Sequence, residues 1–88
     1  MTNKKAKGNP RDIKYSLIIP AYNEEEGLPV VLNDIFQLIN ESYEIIVVDD
    51  GSTDRTREVA QRFSCRVISH EHNSGKGVAM KTGIKAAR

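Results

Sequence analysis

One cysteine stands among the 88 residues, and there is no tryptophan. Cys65 has no partner for an internal disulfide, so a disulfide scaffold is excluded and a reducing cytoplasm fits. Long hydrophobic runs are also missing. The fully apolar stretches, such as Ile45-Ile46-Val47-Val48, are far short of the ~20 residues that span a bilayer. No apolar stretch follows the basic start, so no secretory signal is expected. Nor is there an excess of one charge: 13 Lys and Arg against 12 Asp and Glu leave +1, which argues against a dedicated nucleic-acid binder. What remains is 39% hydrophobic and 28% charged, with 6 Gly and 3 Pro. That is globular composition and excludes collagen and low-complexity disorder. A chain of this length is one small domain or part of one, and buries only ~60–65% of the surface that the unfolded chain exposes.

The charge is unevenly spread. Residues 1–12 hold Lys4, Lys5, Lys7 and Arg11 against Asp12 alone, which leaves the remainder acidic on balance. They are expected to form a basic flexible tail. Contact with anionic lipid is the sharper reading, but positive charges without hydrophobic anchors bind such a surface weakly.

From residue 13 onward the sequence settles into a rhythm expected of one domain. Tyr15-Ser16-Leu17-Ile18-Ile19 is a β-branched apolar run ended by Pro20. Glu44-Ile45-Ile46-Val47-Val48 is a second, ended by Asp49-Asp50-Gly51, and Arg66-Val67-Ile68-Ser69 a third and weaker one. Near-continuous apolar runs mark strands covered on both faces. Between them, Leu28, Val31, Leu32, Ile35, Leu38 and Ile39 fall on one helical face. Asn23 with Glu26 offers this helix a capping box, whereas Pro29 suits a first turn that starts after Gly27. A second helix is predicted over Asp54 to Phe63, with Val59, Ala60 and Phe63 inward and Ser52, Thr53 or Asp54 as cap. A third runs from about Val78 onward, with Met80, Gly83, Ile84 and Ala87 as its stripe. The order βαβαβα predicts an α/β, Rossmann-like unit with a three-stranded parallel sheet. All three strand-to-helix loops then emerge on its carboxyl edge, where open α/β folds bind ligands.

Those loops carry the unusual chemistry. In Asp49-Asp50-Gly51-Ser52-Thr53-Asp54, a carboxylate can cap the next helix, accept hydrogen bonds from a base or ribose, or bind a hard cation. In Pro20-Ala21-Tyr22-Asn23-Glu24-Glu25-Glu26, Tyr22 can stack on a planar base and Glu24 can accept from ring or sugar donors. The same acids also suit a helix amino terminus. Asn73-Ser74-Gly75-Lys76-Gly77 places glycines around a lysine where a helix opens, which suits phosphate. It is no Walker A loop, since His70 and Gly77 occupy the positions that need glycine and Ser or Thr. Met80 likewise replaces the last glycine of a dinucleotide fingerprint. His70 and His72 lack a third metal ligand, and Cys65 reads as packing rather than a nucleophile. The acidic loop also fails the haloacid-dehalogenase pattern, because its aspartates are adjacent and follow the second strand.

Together the loops are more specific than any one of them. Ser16 to Glu25, Glu44 to Thr53 and Asn73 to Ala79 resemble, in order and spacing, the blocks of family 2 glycosyltransferases. Most of all they resemble the dolichyl- or polyprenyl-phosphate mannosyl- and glucosyltransferases. The resemblance covers about Lys14 to Arg88. It implies the amino-terminal half of a glycosyltransferase type A fold that uses a GDP- or UDP-sugar and inverts the anomeric carbon. Tyr22 would then lie against the base with Pro20 and Ala21 shaping that wall, and Glu24 would bond the nucleoside. Val48 would offer backbone contacts, Asp50 would bind the base edge, Asp49 would support the loop, and Lys76 would line the phosphate side.

The family's metal motif, for Mg or Mn, is expected beyond Arg88, as is the acceptor half, so no catalytic residue is expected in this chain. The chain is accordingly read as an inactive nucleotide-recognition part of a transferase acting on a lipid phosphate at the cytoplasmic face of a membrane. A standalone nucleotide-binding module and a decayed remnant are the competing readings. One sheet edge, where a fourth strand would lie, is expected to be unpaired and to promote self-association that is an artefact of truncation.

Overall fold

The computed structural model describes residues 13–39 and 42–88; the basic segment expected over residues 1–12 lies outside them. Six elements alternate: β1 Tyr15–Ala21, α1 Gly27–Leu38, β2 Tyr43–Asp49, α2 Thr56–Gln61, β3 Arg66–Ser69 and α3 Lys76–Ala86. The strands form one parallel sheet in the order β1-β2-β3. Among the described residues, then, β1 is an edge strand. Pro20, expected to end it, lies inside it, paired with Val48. A proline has no N–H to give a neighbouring strand, and since the Ala21 carbonyl faces β2, the nitrogen of Pro20 points away from that ladder.

Alternation sorts the side chains of each strand to two faces. Leu17, Ile19 and Ala21 of β1, with Tyr43, Ile45 and Val47 of β2, pack under Leu28, Leu32 and Phe36 of α1 and Ala60 of α2. Ile18, Ile46, Val48 and Ile68 face the other way, against Ala79 and Ala86 of α3 and Ala87 just after it. The result is three layers, with β2 buried along its whole length. Each large side chain withdrawn from water here contributes about 1.5–3 kcal/mol. No helix among the described residues is long and apolar enough to cross a membrane.

The helix faces differ from their sequence reading in instructive ways. On α1, Phe36 is buried, whereas Leu38 is 80% exposed and Val31 is exposed too. The core stripe is narrower than the hydrophobic pattern, because only one neighbouring layer covers this helix. On α3 the buried positions are Ala79 and Gly83, and Ile84 faces solvent. Small residues, not large ones, meet the sheet there. A Cβ placed on Gly83 would collide with the side chain of Ile18. The second helix is shorter than its pattern, beginning at Thr56, where Asp54 Oδ1 accepts the Thr56 N–H at 2.9 Å.

Candidate functional site

Register brings the loops together. Ala21 pairs with Asp49 and Asp49 with Ser69, so all three strands end at one level. The ladder continues one step beyond them: the Asp50 N–H donates to Ala21 O and the His70 N–H to Asp49 O, each at 2.8 Å. Tyr22, Asp50 and His70 therefore begin their loops side by side.

Asn23 joins the first loop to the second. Its side-chain oxygen accepts the N–H of Thr53 at 2.9 Å and that of Asp54 at 3.3 Å, while its own N–H donates to Ser52 Oγ at 2.9 Å. The capping box with Glu26 does not form, and α1 has no side-chain cap. The acceptor that would have made it is spent across the loops instead. The next N–H along, of Glu24, donates to Thr56 Oγ1 at 2.7 Å.

Asp50 joins the second loop to the third. The residue is 3% exposed. Oδ1 accepts from His70 Nδ1 at 2.7 Å and from the Ser74 N–H at 2.9 Å, and Oδ2 accepts the Gly75 N–H at 2.9 Å. The His70 bond and these backbone donors, against the cost of burial, hold its carboxyl below the usual aspartate range. A carboxylate only accepts, so Nδ1 of His70 carries a proton. The other ring nitrogen, Nε2, lies 2.9 Å from Thr82 Oγ1 on α3. Backbones of the second and third loops also touch. Gly51 has φ +75°, and a Cβ there would stand 2.5 Å from Asn73 N and His72 C, so glycine is required twice over.

These ties leave an open cleft of about 340 Å³ between the first and third loops. Pro20, Ala21 and Ala79 supply apolar wall, Tyr22 an exposed ring, and Glu24, Asp50, Asn73 and Lys76 its polar groups. Helix α3 opens at this cleft behind Gly75, whose φ is +98°. It has no acid in its first turn, and the carboxylate at its end is that of Asp50, which accepts the Gly75 N–H and leaves the N–H groups of the first turn without a side-chain cap.

Of the residues that the sequence singled out, six therefore line one cleft: Pro20, Ala21, Tyr22, Glu24, Asp50 and Lys76. Two do not. The Val48 side chain is fully buried under α3, and Asp49 faces a separate groove beside α2, with Oδ1 accepting the Ser52 N–H at 3.2 Å. Alternation forces that split, since neighbours along a strand point to opposite faces. The sequence weighed His70 only as half of a metal pair and Asn23 only as a cap. The signal for both was present, because each lies within a residue or two of a strand end on the shared edge. As for a metal, no group of three or more His, Cys, Asp or Glu among the described residues could hold one. The described residues thus offer no ligand set of their own for the Mg or Mn that the resemblance implies.

A family model described as glycosyl transferase family 2 matches residues 16–88. Dolichyl-phosphate β-glucosyltransferase of Dictyostelium discoideum is 40% identical over 91% of this chain and 29% of its own length. The chain thus spans less than a third of the curated relatives that it matches. Among solved structures, glucosyl-3-phosphoglycerate synthase from Mycobacterium tuberculosis, in complex with Mn2+, UDP-glucose and phosphoglyceric acid, is 32% identical with a TM-score of 0.74, over 89% of this chain and 31% of that one. Mannosyltransferase PcManGT from Pyrobaculum calidifontis, in complex with GDP-mannose and Mn2+, has a TM-score of 0.80 at 24% identity, over 91% and 26%.

Proposed function

The chain belongs to glycosyl transferase family 2, and from that membership we propose that its cleft receives the nucleotide of a GDP- or UDP-sugar, for inverting transfer of a hexose to a polyprenyl or dolichyl phosphate. Its βαβαβα unit has the topology of the amino-terminal part of the glycosyltransferase type A fold. The observation that carries the reading is the convergence of Pro20, Ala21, Tyr22, Glu24, Asp50 and Lys76 on one cleft. An exposed ring beside apolar wall suits a stacked base, and Glu24 is placed for the sugar of the nucleoside. Lys76, the first residue of α3, suits the diphosphate. This chain's residues bind and orient. No step of the reading runs through a metal held by them, and the hexose and the acceptor fall to parts of the relatives that the chain does not match. A lipid-phosphate acceptor presents its head group at a membrane surface, so the proposed setting is the cytoplasmic face of one.

Asp50 also bears on which base is held. A carboxylate has about four acceptor positions. Two on Oδ1 and one on Oδ2 are filled by His70, Ser74 and Gly75, which leaves one on Oδ2. Uracil offers a single ring N–H, whereas guanine offers N1–H and its amino group side by side and calls for both oxygens. The reading therefore favours UDP over GDP.

Titration of the protein with UDP and with GDP, followed by amide chemical shifts, tests this. Weak binding is expected, stronger for UDP, with shifts at Tyr22, Asp50 and Lys76, and Asp50→Ala abolishes it. Unchanged affinity in that variant refutes the site. Tight binding without metal is what a standalone nucleotide-binding module would give.

A further inference from the structure

Resting on the donor reading above, we propose that His70 is a positioning residue for the nucleotide: its ring ties the base-reading carboxylate of Asp50 to α3, whose amino end faces the phosphates. The ring spans the two, with Nδ1 at 2.7 Å from Asp50 Oδ1 and Nε2 at 2.9 Å from Thr82 Oγ1. Its main chain is fixed as well, by the bond from its N–H to Asp49 O at 2.8 Å.

Asp50 in turn holds the N–H groups of Ser74 and Gly75, the last residues before α3. A chain of contacts thus runs from the end of β3 through the ring and carboxylate to the start of the helix. Without His70, Oδ1 loses its shortest partner and the carboxylate is free to rotate away from those two amides. Thr82 completes the arrangement. Its hydroxyl lies 3.1 Å from Val78 O. It donates to a neutral ring, or accepts from a charged ring while donating to Val78, so the Asp50 bond survives in either state of the ring.

No other side chain of the described residues stands between Asp50 and α3 in this way. His70 does not line the cleft itself, so its effect on a ligand passes through Asp50.

The test compares His70→Asn, whose amide N–H can take the place of Nδ1–H, with His70→Leu, which fills the space but donates nothing. Two quantities are read: UDP affinity, and hydrogen exchange at the Ser74 and Gly75 amides without nucleotide. His70→Leu is expected to weaken UDP binding about tenfold or more and to speed exchange at both amides, whereas His70→Asn stays within about threefold of the parent. Equal losses in both variants, or a folded His70→Leu protein with parental exchange, overturn the proposal. Should the parent bind neither UDP nor GDP, the donor reading fails, and the exchange rates alone still decide whether His70 sets the loop.

Discussion

Asn23 and Thr53 are 30 residues apart in sequence, yet the side-chain oxygen of the first accepts the backbone N–H of the second at 2.9 Å. The asparagine that does this has φ +52°, the one non-glycine residue with positive φ among those described. Asparagine tolerates that conformation better than other side chains, and its amide also supplies the acceptor. Conformation and contact thus select the same residue, so the loop between β1 and α1 is held by the loop after β2 rather than by its own helix.

Substitution at Asn23 separates these contributions. Asn23→Gly keeps the backbone conformation and loses the side-chain bonds, at a cost of about 1–2 kcal/mol. Asn23→Ala loses both and is expected to cost about 1 kcal/mol more. Urea unfolding measures the difference, and equal stability of the two variants would show that the backbone conformation carries no strain.

Acid should unfold the protein through two carboxylates at opposite ends of β2. Burial alone would raise the Glu44 carboxyl, but bonds from the Arg88 N–H, Ser16 and Arg66 outweigh it, and the group lies below its usual range, as Asp50 does. A depressed carboxyl adds stability that is complete above about pH 5 and fades as pH drops through and below about 4. The urea midpoint is therefore expected to fall between about pH 5 and 3. Asp50→Asn and Glu44→Gln should each start lower at neutral pH and show a shallower fall, and a slope as steep as the parent's counts against the assignment.

Gly83 offers a packing test. Alanine there gains helix propensity of about 1 kcal/mol, but its methyl group meets Ile18. Overpacking costs typically 1–3 kcal/mol, so Gly83→Ala should be neutral to destabilising by ~2 kcal/mol. Ile18→Ala, which removes both γ carbons that the new methyl meets, should cost less in the Gly83→Ala chain than in the parent. Additive effects in the double variant would mean that the two residues do not press on each other.

Cys65 should be slow to modify. Burial pushes its thiol up to about 11, and Sγ lies 3.3 Å from Ala60 O. At pH 8 the thiolate fraction is then of order 10⁻³, and the thiolate is the reactive form. Labelling by a disulfide reagent is expected to be slow in buffer and fast in urea; equal rates would contradict the burial.

The strands were legible in the sequence because β-branched runs such as Glu44 to Val48 admit few other readings, and the order of elements then imposed a parallel sheet and one shared loop edge. Helix faces were less so. Leu38 and Ile84 look like core by period, and only the number of layers packed on each helix decides that they are not. At the site, the residue types of Tyr22, Glu24, Asp50 and Lys76 announced themselves through their loops. The role of His70 did not, since it depends on a register that puts the end of β3 level with the end of β2. The resemblance gave Asp49 and Asp50 different roles, and strand alternation is the physical reason that they face opposite ways.

The carboxylate at each end of β2 grips the same helix. Asp50 holds the Gly75 N–H at the start of α3, while Glu44 accepts from the Arg88 N–H and from Arg66, which itself donates to Ala86 O at 2.7 Å. In mechanical terms α3 is a strut pinned at both ends to one beam. About 16 Å long, it can neither swivel about its middle nor slide without breaking one of these bonds.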